Sequence, residues 1–371
     1  MNRDAAPINS DRLRSLLRDM VDIYSPSGKE GQIIGHLSGY LRERGLPVSL
    51  TAVTEGRHNI EVVSPGSEPR VAFLGHLDTV PAFDIERYES EERDGQLFGL
   101  GSADMKAGCA ALIEAFLSLH EEGVTPKQSG LFLVVGEEEV GDGTTTLLAE
   151  RSFSHAVVAE PTTLRPCLSH YGYVEMLVRS FGTRRHASMS GREYNAIFAM
   201  LRMLLKLGGV LEADHPETVL NIRDLHSGES GFAVPDRCEA WVDLHIPPGA
   251  LPDRFAGELA ELARGSLSGS VATGYEIEFP TLIPGYRLTD QNPLVESLRS
   301  VFASLNLEWA PDSFRSHSDA NLMHAQGCSP VVLGPGQLAK AHTRDESVDL
   351  EQVFRAAELY RDLLLLIEKT W

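Results

Sequence analysis

Leu13, Leu16, Leu17 and Met20 recur at helical spacing behind Ser10, so Asp11 to Ile23 reads as a helix capped by that serine. Ser25-Pro26-Ser27-Gly28 breaks the pattern, and a second helix runs from about Lys29 to Arg44, stopping at Gly45. Strand-like runs follow at Pro47 to Val53, His58 to Val63 and Arg70 to Leu74. The acidic stretch Asp84 to Asp94 reads as a solvated loop. A short strand at Leu97-Phe98 then passes through a glycine-rich turn, ending at Gly108, into the apolar helix Cys109 to Leu119. Leu131 to Val135 and Ala156 to Ala159 are unbroken apolar runs, as expected of central strands buried on both faces.

The pattern changes character after Gly172. Val174 to Ser180 alternates, Asn195 to Leu207 is a long apolar-periodic helix, and Thr218 to Arg223 and Arg237 to Ile246 read as strands. Phe255 to Leu262 is a helix and Tyr275 to Phe279 a last strand. The order β, α, β, β, α, β describes a ferredoxin-like α+β insert. From Pro284 the first style returns, with helix Leu294 to Leu305, loop Asp312 to Asp319, strand Pro330 to Leu333 and closing helix Leu350 to Lys369. The expected organisation is therefore an α/β domain in two parts, residues 1–172 and 284–371, interrupted by an inserted domain at 173–283.

Composition narrows the possibilities. A chain of 371 residues with 42% hydrophobic and 23% charged positions can bury a large core and has the balance of an ordinary globular protein. A formal charge of −20 argues against nucleic acid and against an anionic membrane as partners, because phosphate recognition needs a basic face. No apolar stretch approaches the length of a membrane span and no signal-like core follows the N-terminus, so the expected compartment is the cytoplasm. Cys109, Cys167, Cys238 and Cys328 are scattered without Cys-x-x-Cys spacing and read as reduced, buried space-fillers.

The chemistry lies where the apolar runs end. Val71 to Leu74 leads into Gly75-His76-Leu77-Asp78-Thr79-Val80-Pro81, which sets His76 and Asp78 at the carboxyl edge of a strand, where open α/β sheets place ligands. Two residues apart on extended chain they point the same way, so Asp78 can accept one ring N–H of His76 and leave the other nitrogen for a metal. Asp104, in the glycine-rich turn, either caps the next helix or bridges two cations. Leu131 to Val135 discharges into Glu137-Glu138-Glu139, three carboxylates that repel one another unless cations neutralise them, and Ala156 to Ala159 ends in Glu160. With His342, these give two imidazoles and three carboxylates for a pair of divalent ions. His76, Asp104 and Glu160 would hold one ion; Asp104, Glu139 and His342 would hold the other. Such a donor set suits zinc, with cobalt or manganese as alternatives, rather than calcium. Glu138, beside the ligand Glu139, is the expected general base and acid.

These segments, with Gly101 to Lys106, Ala159 to Thr162, Gly334-Pro335-Gly336 and Ala341-His342-Thr343, resemble in order and spacing the five signatures of the M20 metallohydrolases. That family includes acetylornithine deacetylase, succinyl-diaminopimelate desuccinylase, aminoacylase and glutamate carboxypeptidase. The resemblance runs from about Ser25 to the C-terminus. It implies a mixed-sheet, three-layer, zinc-peptidase-like α/β catalytic domain split by a lid or dimerisation domain, and a homodimer formed through that insert. Gly182 to Ser188 followed by Asn195-Ala196-Ile197 is similar to the family's lid motif, which implies that His186 reaches into the partner subunit's site and stabilises the tetrahedral oxyanion.

Two positions depart from the family pattern. Phe232 stands where many members carry Asn ahead of the Val-Pro pair, and Asp243-Leu244-His245 stands where they carry Asp-x-Arg. The charged fork that would grip a substrate carboxylate is missing there, and Arg315 is the expected replacement cation. His245, Phe232 and Arg315 are thus the substrate-binding candidates. Ser318-Asp319-Ala320-Asn321 resembles the peptidase side of the family and Gly336 to His342 the deacetylase side. The reading is metal-dependent hydrolysis of a small N-acyl amino acid, with a dipeptide or the C-terminal residue of a peptide as the rival substrate. A catalytically silent metal-binding dimer and a nucleotide enzyme built on Gly99 to Gly108 are further rivals.

Overall fold

Two units make up the chain in the computed structural model, which describes residues 8–85, 88–138, 141–191, 194–228, 231–268 and 274–371. The first comprises Met1–Leu168, Leu288–Phe314 and Ser318–Trp371; the second comprises Ser169–Arg287 with Arg315–His317.

The first unit opens with α1 (Ser10–Asp22), whose apolar stripe of Leu13, Leu16, Leu17, Met20 and Val21 is wholly buried. Asn9, not Ser10, caps it: the Asn9 side-chain oxygen accepts the Arg12 N–H at 3.0 Å. Helix α2 (Gly31–Glu43) buries Ile33, Ile34, Leu37 and Leu41, and its exit bends at Gly45, φ +81°. Strands β1 (Val48–Thr54), β2 (Arg57–Val62) and β3 (Val71–His76) follow. Part of the stretch read as a loop is in fact a strand, since β4 (Glu91–Arg93) pairs antiparallel with β5 (Gln96–Phe98). Its three charged side chains suit a small ribbon at a sheet edge. Then come α3 (Ala107–Glu121), β6 (Ser129–Val134), α4 (Asp142–Glu150), β7 (His155–Val158) and β8 (Cys167–His170).

The second unit holds β9 (Gly172–Phe181), α5 (Ala196–Asp214), β10 (Val219–Ser227), β11 (Arg237–Ile246), α6 (Pro252–Leu267), β12 (Gly274–Ile283) and the short β13 (Tyr286–Arg287). Its sheet is antiparallel in the order β10-β11-β9-β12. Val174, Met176 and Val178 of β9 and Ala240, Val242 and Leu244 of β11 form one core with the buried faces of α5 and α6. Alternation along the strands puts both helices on the same side, the ferredoxin-like arrangement.

The chain returns to the first unit with α7 (Pro293–Ser304), β14 (Asp312–Phe314), α8 (Asp319–Ala325), β15 (Ser329–Val332), β16 (Ser347–Asp349) and α9 (Leu350–Thr370). The main sheet of this unit runs β1-β2-β6-β3-β7-β15. β1, β2 and β6 are antiparallel neighbours, whereas β6, β3, β7 and β15 are parallel. One face packs on α1, α2, α3, α7 and α9 through a single large core that includes Phe73, Leu131, Leu133, Val157 and Tyr360. On the other face α4 contacts β1 and β2, and α8 contacts β7 and β15. This is the expected three-layer α/β architecture with a mixed sheet. Because β6, β3 and β7 are adjacent and parallel, their carboxyl ends lie side by side. All three ends carry acidic or imidazole side chains.

Candidate metal centre

His76 is the last residue of β3 and is 1% exposed. Its Nδ1 donates to the backbone carbonyl of Asp78 at 3.0 Å, while the Asp78 carboxylate lies at 3.5 Å. The expected orientation of the ring thus holds, but the main chain of Asp78 rather than its side chain supplies the hydrogen bond. The fully buried Asp78 carboxylate does something else. It accepts the Glu137 and Glu138 N–H groups at 3.1 and 3.0 Å and the Ser27 hydroxyl at 2.6 Å, tying the loop after β6 to the loop after β3. Burial alone would raise its pKa, but the neighbouring His76 and these donors hold it below the ordinary carboxylate value.

The free nitrogen of His76, Nε2, faces three carboxylates: Asp104 at 3.3 Å, Glu137 at 3.8 Å and Glu160 at 3.9 Å. Asp104 sits in the tight turn Ser102–Lys106 between β5 and α3, entered through Gly101 at φ +76°. Its carboxylate does not cap α3, whose N-terminus receives no side-chain hydrogen bond. It lies instead between the two histidines, with His342 Nε2 at 3.6 Å from the other oxygen. Glu160 follows β7, is 3% exposed, and contributes the third donor beside His76. His342 lies in the segment after β15, with φ +57° and half of its side chain exposed, and its Nε2 contacts Glu138 Oε1 at 3.0 Å.

Two donor groups result. His76, Asp104 and Glu160 offer ligand atoms all within 4.8 Å of one another, and so do Asp104, Glu138 and His342. Asp104 belongs to both, the arrangement expected of a carboxylate bridging two cations. Glu138, the expected proton carrier, is the carboxylate found in the second group; Glu139, the expected ligand, lies outside the described residues. The donors fit a pair of divalent cations electrostatically. Burial, followed by the charge of neighbouring acids, pushes the carboxyls of Glu160 and Glu137 well above their ordinary range, and burial raises Glu138 as well. His342 is raised to about 9 by its bond to Glu138. His76 is also raised despite burial, by Asp104 and Asp78. Crowded acids that favour protonation and imidazoles that favour the charged form mark a pocket with a deficit of positive charge.

Sequence reasoning passed over several groups. Glu137 stood unassigned within the acidic run, yet it is buried against His76. Glu346, 3% exposed, lies behind the Asp104 turn and is raised to about 7, chiefly by burial. Lys106 is buried, donates to the Ile23 carbonyl at 2.9 Å, and is lowered by burial to about 8. Asp319, at the start of α8, is 1% exposed and is raised by burial to about 7. No periodicity marks a carboxylate that turns inward from a loop.

The remaining candidates lie in the second unit. His186 is exposed at the start of a short 3-10 turn, and its Nδ1 accepts the Ser188 N–H at 3.3 Å. The same Nδ1 lies 2.8 Å from the Ser188 Oγ. Its segment is held by backbone bonds on either side, Ala187 N–H to the Phe232 carbonyl and Val234 N–H to the Arg185 carbonyl. The Phe232 side chain is 94% exposed. Arg315 is exposed too. His245 is mostly buried beside Tyr173, ring centroids 5.4 Å apart, and burial lowers its pKa, so it presents a neutral aromatic wall rather than a cation. Asp243 next to it accepts the Tyr173 hydroxyl at 2.9 Å and meets Arg223 at 3.3 Å, a guanidinium that the sequence reading did not single out.

Residues 72–366 match the sequence model of peptidase family M20/M25/M40. Acetylornithine deacetylase from Vibrio vulnificus is 29% identical over 350 aligned residues, covering 86% of this chain and 88% of that protein. Among solved structures, a tripeptidase from Staphylococcus aureus superposes with a TM-score of 0.81 at 22% identity, covering 97% of this chain and 99% of the other. A dinuclear metal-binding M20 peptidase from Bacillus subtilis gives a TM-score of 0.72 at 14% identity, covering 98% and 99%. Among the described residues no helix is long and apolar enough to cross a membrane.

Proposed function

Because this chain belongs to peptidase family M20/M25/M40, we propose that it hydrolyses the amide bond of a small N-acyl amino acid, with two divalent cations, zinc by preference, held by the groups that share Asp104. The observation that carries this reading is the pair of three-donor groups, each within 4.8 Å, meeting at one carboxylate above the adjacent ends of β6, β3 and β7. The likeness to acetylornithine deacetylase supports an acetylated α-amino acid as substrate.

When bound, such cations polarise an amide carbonyl and make a nearby water more acidic. The protein's own side chains do the rest. His76, Asp104 and Glu160 would hold one ion; Asp104 and His342 would hold the other, with Glu138 beside them and Glu139, the ligand expected from the sequence, following it in the chain. Glu138 takes the proton from the attacking water and returns it to the leaving nitrogen. Its carboxylate lies beside His342 at the exposed side of the centre, whereas Glu137 lies against the buried His76. Asp78 fixes His76 and the glutamate loop. His186 donates a ring N–H to the oxyanion as the tetrahedral species forms.

A homodimer formed through the second unit belongs to the same proposal. β10 is an edge strand, paired among the described residues with β11 alone and exposing Val219, Ile222 and Leu225, and α5 exposes Phe198, Leu201 and Leu205. An apolar edge of this kind invites pairing with a second copy. The working compartment is the cytoplasm, supported by four free, buried cysteines.

The test is amine release from acetylornithine, other Nα-acetyl amino acids and a panel of dipeptides and tripeptides, before and after chelation and zinc readdition. Release from acetylated amino acids, lost on chelation and restored by zinc, is expected. The second reading, a peptidase, is favoured by the likeness to the tripeptidase and by Ser318-Asp319-Ala320-Asn321. Amine release from peptides alone establishes it and removes the first.

A further inference from the structure

Glu346 is a buried acid outside both donor groups, and among the described residues its carboxylate accepts three hydrogen bonds, all from one turn. Oε2 accepts the Gly101 N–H at 3.0 Å, and Oε1 accepts the Ala103 and Asp104 N–H groups at 2.9 and 3.0 Å. The turn is folded around that carboxylate. Gly101 has φ +76°, and a Cβ there would meet Thr79 Cγ2 at 2.6 Å, so the backbone can approach only as glycine. Glu346 itself is fixed from behind. Its carbonyl accepts the Gly99 N–H at 3.1 Å, its N–H bonds to the Thr343 carbonyl at 3.3 Å, and the next residue, Ser347, opens the ladder of β16 on β5 opposite Phe98.

The consequence concerns Asp104, whose side chain is common to both donor groups. A displacement of that turn moves a ligand of both ions at once. Glu346 lies four residues after His342, so it links the position of the Asp104 turn to the segment that brings the second histidine. We propose that Glu346 is a positioning residue: a carboxylate that moulds the Gly101–Asp104 turn and thereby sets where the shared ligand stands relative to His342. Partners that orient a metal ligand from behind typically contribute about 10- to 100-fold in metal affinity. The proposal rests on the metal-centre reading above and adds a residue to it.

The experiment compares wild-type protein with E346A and E346Q by zinc titration against a chromophoric chelator, by the visible absorption of the cobalt-loaded forms, and by calorimetric melting of the metal-free forms. E346A is expected to bind zinc about 10- to 100-fold more weakly, to show an altered cobalt spectrum, and to lose kcat with little change in KM. E346Q keeps an amide oxygen for the Ala103 and Asp104 N–H groups and recovers part of the affinity. Zinc affinity and a cobalt spectrum unchanged in E346A overturn the proposal, whether or not its metal-free melting temperature falls, because that pattern describes structural support only. If E346A does not fold, E346Q decides: a shifted cobalt spectrum supports the assignment and one identical to wild type overturns it. Wild-type protein that binds no transition metal removes the metal centre itself, whereas equal binding by wild type and variant removes only the role of Glu346.

Discussion

Replacing Asp78 by Ala separates what holds the centre from what performs chemistry in it. The carboxylate is fully buried and accepts two backbone N–H groups, those of Glu137 and Glu138, besides the Ser27 hydroxyl. Truncation leaves two main-chain donors unpaired behind the centre, each costing about 1–3 kcal/mol unless the loop moves to find water. Relaxation of the loop is the cheaper response, so the loss falls on the placement of Glu138 and of the donors near it. With about 3 kcal/mol of that cost expressed in the bound state, and 1.4 kcal/mol per decade, metal affinity falls about 100-fold. The measurements are zinc titration, kcat and KM with saturating zinc, and amide hydrogen exchange at residues 137 and 138. Weaker zinc binding, a lower kcat that excess zinc does not restore, and faster exchange at these amides are expected. Wild-type zinc affinity with unchanged exchange at both amides refutes the reasoning, since Asp78 would then be tying nothing down.

Three further outcomes follow from the structure and the proposed roles. Glu138→Gln should retain both metals and lose about 10²- to 10⁴-fold in kcat; loss of one metal equivalent instead makes Glu138 a ligand and transfers the proton to another group. His186→Ala should lower kcat about 10²- to 10³-fold, and mixing that variant with Glu138→Gln should restore activity if the histidine serves the partner's site; no recovery from exchanged heterodimers, verified by mass, counts against that placement. His155 gives a pH-dependence whose sign is fixed. Burial, aided by the charge of Arg70, lowers its pKa from 6.5 to about 4 in the folded protein. The unfolded chain therefore takes up a proton first as pH falls, and the stability His155 contributes, full above pH 6.5, is lost between 6.5 and 4. His155→Phe, which keeps the edge-on contact with Trp371, should lose less urea stability between pH 7.5 and 5 than wild type; parallel losses show that His155 does not titrate in that window.

Some donors are legible in the hydrophobic pattern itself. Donors that close an apolar run, His76 at the end of β3 and Glu160 after β7, announce themselves because a buried strand ending in a charged side chain is costly without a reason. The assignment within Glu137-Glu138-Glu139 was not legible from strand alternation, because β6 ends at Val134 and the loop that follows has no period. Helix α4 was missed since Asp142 to Thr146 is polar and threonine-rich; only Gly143, Thr144 and Leu147 are buried, and the sheet face stabilises it more than its own propensity does. Glu346 and Asp78 act through main-chain N–H groups, and any residue offers those, so no sequence pattern points to the partner. His245 was read as the place where a cation is missing, which agrees with its neutral, aromatic surroundings, but Arg223 reaches the neighbouring acid from the adjacent strand, and cross-strand pairing is invisible until the register is known.

Since β15 pairs with β7 across the whole intervening insert, a growing chain still short of residue 329 has made His76, Asp104 and Glu160 but has no strand to flank β7 on its outer side. His342 and Glu346 emerge later still. Were divalent cations bound at both groups, the first could therefore meet its three donors, His76, Asp104 and Glu160, on the N-terminal part of the chain well before the second group is complete. The order in which the two donor groups become complete is set by nothing more than where in the chain their donors were written.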